Sequence, residues 1–284
     1  MKQVFINHEF VDESNANVSV LDRGLLFGDS IYEVIPVHDG VMIGFDLHIH
    51  RLNRSLAEVG MPPSFDVEKW KEICLQLIEV NGDLPVYIQI TRGAPSYRSL
   101  YAADNVKQTV IAFSLVPEAH LKSTNLSVDG YKVITAPDIR WQRCDIKSTS
   151  LIASVMTYQS MIAKAKANEV LMYNEENLLT EGCAVNVFVA KNKTIFTPRL
   201  SNEILPGITR HILIDVLKKD GSIVIEERDV SVEEVLNADE IFITSSTKNV
   251  GPVIELDGVP VGSGEPGPLW SQCNTLLKQN MLHY

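Results

Sequence analysis

The apolar periodicity of this chain breaks once, between Pro117 and Asn125, where the residues turn polar. That break most constrains the fold, because a single core cannot run through a polar stretch with no apolar stripe. The spacing therefore predicts two domains, 1–118 and 126–284, joined by a linker at 119–125. A chain of 284 residues is long enough to bury a core in each. Hydrophobic residues make up 45% and charged residues 21%, as in ordinary globular proteins. The formal net charge of -11 argues against nucleic acid as a partner. No apolar run reaches the length of a membrane span, and the N-terminus lacks the apolar core of a signal peptide. Cys74, Cys144, Cys183 and Cys273 are scattered and form no CxxC pair, and His48 and His50 at i,i+2 on a helix point to different faces. No metal site is expected, and reduced thiols suit a cytoplasmic protein.

Strand and helix signals alternate through both halves, which predicts an α/β protein. Val4–Ile6 and Phe10–Val11 flank the turn-like Asn7-His8-Glu9, a hairpin signal. Val18–Leu21 reads as a short extended piece. Between Ser30 and Val37 the alternation places Tyr32 and Val34 on one face and Ile31, Glu33, Ile35 and Val37 on the other. Asp46 is placed as the cap of a helix carrying Leu52, Leu56 and Val59, with Arg51 one position off the apolar stripe. Asp66 opens a second helix with Trp70, Ile73, Cys74, Leu77 and Val80 inward. The loop Arg92–Tyr101 carries two arginines and two tyrosines, a mix that suits a carboxylate because a guanidinium pairs with it bidentately; Arg98 is the candidate substrate ligand.

In the second half, Lys147 stands just before an apolar helical stripe of Leu151, Ile152, Val155, Met156 and Ile162, with Ser148 or Ser150 as the expected N-cap. A lysine amine that loses its proton can form a Schiff base with an aldehyde. Further on come Glu181 followed by Gly182, the helix start Leu205-Pro206-Gly207-Ile208-Thr209-Arg210, and the hydroxyl run Thr244-Ser245-Ser246-Thr247 after a strand. Each feature alone has an ordinary reading as solvated surface or polar loop. Together they are what pyridoxal phosphate requires. A lysine takes the aldehyde, a carboxylate keeps the pyridine nitrogen protonated, and a helix N-terminus with hydroxyls holds the phosphate.

The sequence resembles the fold-type IV pyridoxal-phosphate enzymes over nearly its whole length. The motifs are Asp22-Arg23-Gly24 to Phe27-Gly28-Asp29 with Tyr32-Glu33, His48-Ile49-His50-Arg51-Leu52, Asp145-Ile146-Lys147-Ser148, Thr180-Glu181-Gly182 with Asn186-Val187-Phe188, Gly207-Ile208-Thr209-Arg210, and Thr244-Ser245-Ser246-Thr247. Within that family, Asp138-Ile139-Arg140-Trp141 to Asp145-Ile146-Lys147-Ser148 is most similar to the D-amino acid aminotransferases. The resemblance implies a smaller N-terminal α/β domain, a larger C-terminal β-rich domain, the cofactor between them, and a homodimer. It also implies roles. Lys147 forms the Schiff base and moves the α-proton; Glu181 pairs with the pyridine nitrogen. Arg51, the N–H groups of Ile208 and Thr209, and the hydroxyls of Ser245 and Ser246 hold the phosphate. Leu205 packs on the ring, and Tyr32 faces the substrate. The implied reaction moves an amino group between D-amino acids such as D-alanine and 2-oxo acids such as 2-oxoglutarate.

The chain departs from that pattern in three places. The loop's usual Arg-x-His is here Arg98-Ser99-Leu100, and leucine donates no hydrogen bond. Cys183, Ala184 and Val185 stand where serines are common, and Ser150 replaces a usual asparagine. Alternative readings are a lyase of the aminodeoxychorismate type, an (R)-amine or branched-chain transaminase, and a pyridoxal-phosphate carrier without catalysis; a carrier has no need of an electron sink.

Overall fold

The structure is a computed structural model that describes residues 3–101, 105–116, 129–165 and 167–284. The expected linker at 119–125 lies outside the described residues. The chain divides into two compact units: Met1–Leu121 with Ile146–Leu151 and Tyr284, and Lys122–Asp145 with Ile152–His283.

The first unit is built on β1 (Gln3–Ile6), β2 (Glu9–Asp12), β3 (Ser30–Ile35), β4 (Val37–His38), β5 (Val41–Met42), β6 (Val86–Thr91) and β7 (Thr109–Ser114). Five of these form an antiparallel sheet in the order β2-β1-β7-β6-β3, and β4 pairs with β5. The β1–β2 hairpin turns through Asn7 at φ 58°, a left-handed position that asparagine tolerates. Helices α1 (Arg23–Phe27), α2 (Phe45–Glu58) and α3 (Val67–Asn81) complete the unit. Period-two alternation puts Val86, Ile88 and Ile90 of β6 into the core with Ile49, Leu52 and Leu56 of α2 and Trp70, Ile73 and Leu77 of α3. Each such aliphatic side chain contributes about 1.5–3 kcal/mol on burial. Asp66 caps α3 by accepting from the Lys69 N–H at 2.8 Å, worth about 1 kcal/mol.

β3 is the outer strand of this sheet, yet its edge is covered. The Tyr32 N–H donates to the Lys147 carbonyl at 3.0 Å and the Thr149 N–H to the Ser30 carbonyl at 3.1 Å. Ile31 and Ser148 form an antiparallel bridge. The segment Ile146–Leu151 thus belongs to the first unit, although its neighbours on either side belong to the second.

The second unit contains a nine-stranded mixed sheet. Its strands are β8 (Tyr131–Pro137), β9 (Glu169–Tyr173), β10 (Leu179–Gly182), β11 (Asn186–Lys191), β12 (Thr194–Thr197), β13 (Val224–Glu227), β14 (Glu240–Ser245), β15 (Asn249–Leu256) and β16 (Val259–Pro260). The order is β10-β9-β8-β15-β14-β11-β12-β13, with β16 on β15. β8 runs parallel to both β9 and β15, and β12 to β13; the other pairs are antiparallel. The helix Ile152–Ala165 precedes β9. The helices Ile208–Asp220 and Pro268–Asn280 bring Leu213, Leu217, Cys273 and Leu277 to full or nearly full burial. Val187, Phe188 and Val189 of β11 are all buried, as both faces of that strand are covered. Among the described residues no helix is long and apolar enough to cross a membrane.

Four local expectations change. Asp46 lies within the first turn of α2, and the N-cap is Gly44 at φ 64°. Val80 is 47% exposed on the outer face of α3. Val18–Leu21 forms no strand. The helix after Lys147 starts at Ile152, two residues beyond Ser150, and Ile152, Val155 and Met156 are exposed. Periodicity correctly put those three on one face, but it carries no information about what that face meets.

Candidate active site

In the first unit the inward register of β3 carries Glu33 into the core between Ile31 and Ile35. A carboxylate there is costly unless it is paired. Its partners come from α2. Arg51 Nε donates to Glu33 Oε1 and Arg51 Nη2 to Oε2, both at 2.7 Å. His48, one turn earlier on the same helix face, meets Oε2 through Nδ1 at 2.7 Å. Burial alone would raise the Glu33 pKa, but Arg51 and His48 outweigh it and hold the carboxyl well below its usual range. Burial lowers the pKa of His48 despite Glu33, with Arg51 and Lys147 adding to the lowering. His48 is therefore neutral near pH 7, with Nδ1–H donating to Glu33. Its Nε2 is buried and has no partner among the described residues.

Lys147 is half-buried, and its Nζ stands 4.2 Å from the centre of the Tyr32 ring. Tyr32 stacks in turn on Tyr87 at 5.7 Å. Tyr32 and Lys147 are thus brought together, beside the helix that carries Arg51. Asp22-Arg23-Gly24 through Asp29 has a structural task. Arg23 donates to Asp29 at 2.8 Å and to the carbonyls of Ser99 and Leu100 at 2.5 and 2.9 Å. Arg92 also donates to Asp29 at 2.8 Å. Two guanidiniums offset the burial of Asp29 and lower its pKa. Arg98 is left exposed, its guanidinium 4.8 Å over the Phe27 ring.

In the second unit Glu181 is buried at the end of β10. Its Oε1 accepts from Arg140 Nη1 at 2.7 Å, and its Oε2 from Asn186 Nδ2 and the Leu205 N–H, each at 3.0 Å. Arg140 is oriented by Asp138, which accepts from its Nε and Nη2, and Thr180 donates to the same carboxylate at 2.9 Å. Burial pushes the Glu181 carboxyl up to about 7, against the pull of Arg140 and the Leu205 N–H. Asn186 also donates to the Leu205 carbonyl at 2.9 Å, which fixes the backbone just before the helix Ile208–Asp220. Gly207 is required there because a Cβ would lie 1.9 Å from Asn186 Oδ1. That helix has no side-chain N-cap, so the N–H groups of Ile208 and Thr209 point out from its first turn. At the end of β14 Thr244 is buried, its hydroxyl without a partner among the described residues, followed by the half-buried Ser245 and Ser246.

Glu181, Leu205, Ile208 and Thr209 are therefore one connected cluster. Sequence reasoning missed the groups that hold these residues: Glu33 and His48 around Arg51, and Arg140, Asp138 and Asn186 around Glu181. The signal for Glu33 was present, since a carboxylate at an inward position between two isoleucines demands a buried cation.

The class IV amino-transferase family model matches residues 30–256. A D-alanine aminotransferase of Bacillus licheniformis is 38% identical over 282 residues, covering 99% of this chain and 97% of the relative. The branched-chain amino acid aminotransferase of Escherichia coli superposes with a TM-score of 0.89 at 23% identity, over 99% of this chain and 94% of that one. A hypothetical aminotransferase of Mycobacterium tuberculosis in its PLP-bound form gives a TM-score of 0.83 at 19% identity, over 99% of both chains. At those two identities the likeness is one of fold. With a family match over most of its length and a full-length relative above a third identical, the chain belongs to the class IV aminotransferases.

Proposed function

We propose that this protein is a pyridoxal-phosphate-dependent transaminase that moves an amino group between D-amino acids, such as D-alanine, and 2-oxo acids, such as 2-oxoglutarate. The full-length likeness to a D-alanine aminotransferase carries the reading. The donor set supports the cofactor: an amine at Lys147, a buried carboxylate at Glu181, a helix start without a side-chain cap, and an unpartnered buried hydroxyl at Thr244. When bound, pyridoxal phosphate supplies an electron sink for the pair left as the α-proton departs.

The protein's own groups do the rest. Lys147 Nζ would be the amine that holds the cofactor's aldehyde carbon and the base that moves the substrate's α-proton. Tyr32 shields that amine on one side and faces the substrate. Glu181 would hold a proton on the pyridine nitrogen, and Arg140 with Asn186 keeps its carboxylate aimed. Arg51, the N–H groups of Ile208 and Thr209, and the hydroxyls of Ser245 and Ser246 would hold the cofactor's phosphate, and Leu205 would hold its ring. Glu33 keeps Arg51 oriented. Arg98 binds the substrate carboxylate, without the histidine that usually accompanies it. The protein acts in the cytoplasm as a homodimer; exposed Leu25, Tyr97, Leu100 and Tyr101 are apolar groups that such an assembly would cover.

The test is turnover of D-alanine with 2-oxoglutarate. Pyruvate formed only when the 2-oxo acid is present supports transamination, and release of pyruvate from an aminodeoxychorismate-type substrate without an acceptor contradicts it in favour of a lyase. Comparable rates on (R)-phenylethylamine and D-alanine would move the substrate class to amines.

A further inference from the structure

Glu169 opens β9 and is completely buried. Its Oε1 accepts from the Val170 N–H at 3.1 Å, and its Oε2 from the ammonium of Lys248 at 2.5 Å. Lys248 belongs to the short turn that joins β14 to β15, where Ser245 pairs with Asn249. Asn249 closes that turn at φ 53°. The Lys248 backbone N–H donates to Ser245 Oγ at 3.1 Å. Its ammonium stands 5.3 Å from the centre of the Tyr131 ring on β8. The lysine side chain therefore ties a hydroxyl-bearing turn on one strand pair to a buried carboxylate on β9. A tight hairpin turn does not require such a tie, whereas the buried carboxylate of Glu169 is costly without a cation beside it, so the two side chains hold each other in place. Beside the turn lies Thr244, whose buried hydroxyl has no partner among the described residues.

We propose that Glu169 and Lys248 are positioning residues for phosphate binding. Glu169 fixes the Lys248 ammonium, and Lys248 fixes the turn so that the hydroxyls of Thr244, Ser245 and Ser246 are held ready for a phosphate group. This rests on the cofactor reading above. Because Glu169 neutralises the ammonium at 2.5 Å, Lys248 braces the turn.

The experiment titrates the apo-protein, followed by absorbance, with pyridoxal phosphate and separately with pyridoxal, which lacks the phosphate. Glu169→Gln and Lys248→Met should each weaken pyridoxal phosphate about tenfold, the factor for ~1.4 kcal/mol, and leave pyridoxal within roughly twofold of the parent. Lys248→Arg should restore affinity, and the double variant should bind no worse than either single one. Should Glu169→Gln fail to fold, Lys248→Met carries the same comparison, as the lysine is the partly exposed partner. Unchanged affinity in the variants, or equal weakening of both compounds, overturns the proposal alone. A parent protein that binds neither compound overturns the cofactor reading and this proposal with it.

Discussion

Replacing Glu33 with glutamine separates an electrostatic role for this carboxylate from a merely space-filling one. The change keeps the shape and removes the charge. Glu33 is fully buried, and the side chains that face it, Arg51 and His48, are 6% and 1% exposed. Three contacts of 2.7 Å converge on it, two of them from the guanidinium. Removing one member of such a buried pair costs about 3–5 kcal/mol, because a charge stays behind in a poorly solvated place. Urea unfolding of the apo-protein, followed by the fluorescence of its tryptophans, of which Trp70 lies in this core, measures the loss. The pH dependence gives a second signature. The folded pKa of Glu33 is depressed, so its stabilisation is present above the unfolded value of 4.5 and lost as pH falls below it. His48 acts in the same direction from a higher starting point: its pKa is lowered from 6.5, the unfolded chain takes up the proton first, and stability falls as pH drops below that value. Glu33→Gln should abolish the component below 4.5. A loss under about 1 kcal/mol, or an unchanged acid limb, would refute the electrostatic account of this cluster.

Other perturbations test the rest of the site. Gly207→Ala places a Cβ 1.9 Å from Asn186 Oδ1, so calorimetry on the apo-protein should show a loss of about 1–3 kcal/mol together with weaker uptake of pyridoxal phosphate; full retention of both would remove the close-approach argument. The folded pKa of Glu181 is raised from 4.5 to about 7, so its contribution is complete below 4.5 and shrinks as pH rises to 7; the stability difference between the parent and Glu181→Gln should change by about 3 kcal/mol across that window, and a flat difference would contradict it. Arg98→Ala should raise KM for D-alanine roughly 10- to 100-fold with a smaller effect on kcat, as steady-state kinetics would show; an unchanged KM would mean that another group binds the carboxylate.

Much of the site was legible because its chemistry is local in sequence. Lys147 sits in a distinctive run, and Glu181, Gly207 and Thr244 each stand beside residues that advertise a turn or a helix start. Asp66 was readable for the same reason, as a cap involves neighbours only; the fold also forms a capping box between Ser231 and Glu234, with both reciprocal bonds made. What was not legible depends on distant pairing. β7 slots between β1 and β6, although it follows β6 in the chain, and nothing in its residues encodes that order. Arg140 stood in a family-like motif with no role assigned until the fold set it against Asp138 and Glu181. The segment around Lys147 read as a helix entrance, whereas the fold uses it to cover the edge of β3, which moves the helix start on to Ile152. Gly44 displaced Asp46 as the cap of α2 because the preceding β4–β5 ribbon delivers the chain there in a left-handed conformation.

The most direct test of the central claim is the visible spectrum of the pyridoxal-phosphate-loaded protein before and after D-alanine, with L-leucine and the Lys147→Ala variant as comparisons. The account predicts a yellow protein whose long-wavelength band falls with D-alanine, returns with 2-oxoglutarate, and ignores L-leucine, while Lys147→Ala shows no such cycle. A band that falls with L-leucine and not with D-alanine would contradict it, as would unimpaired cycling in the alanine variant.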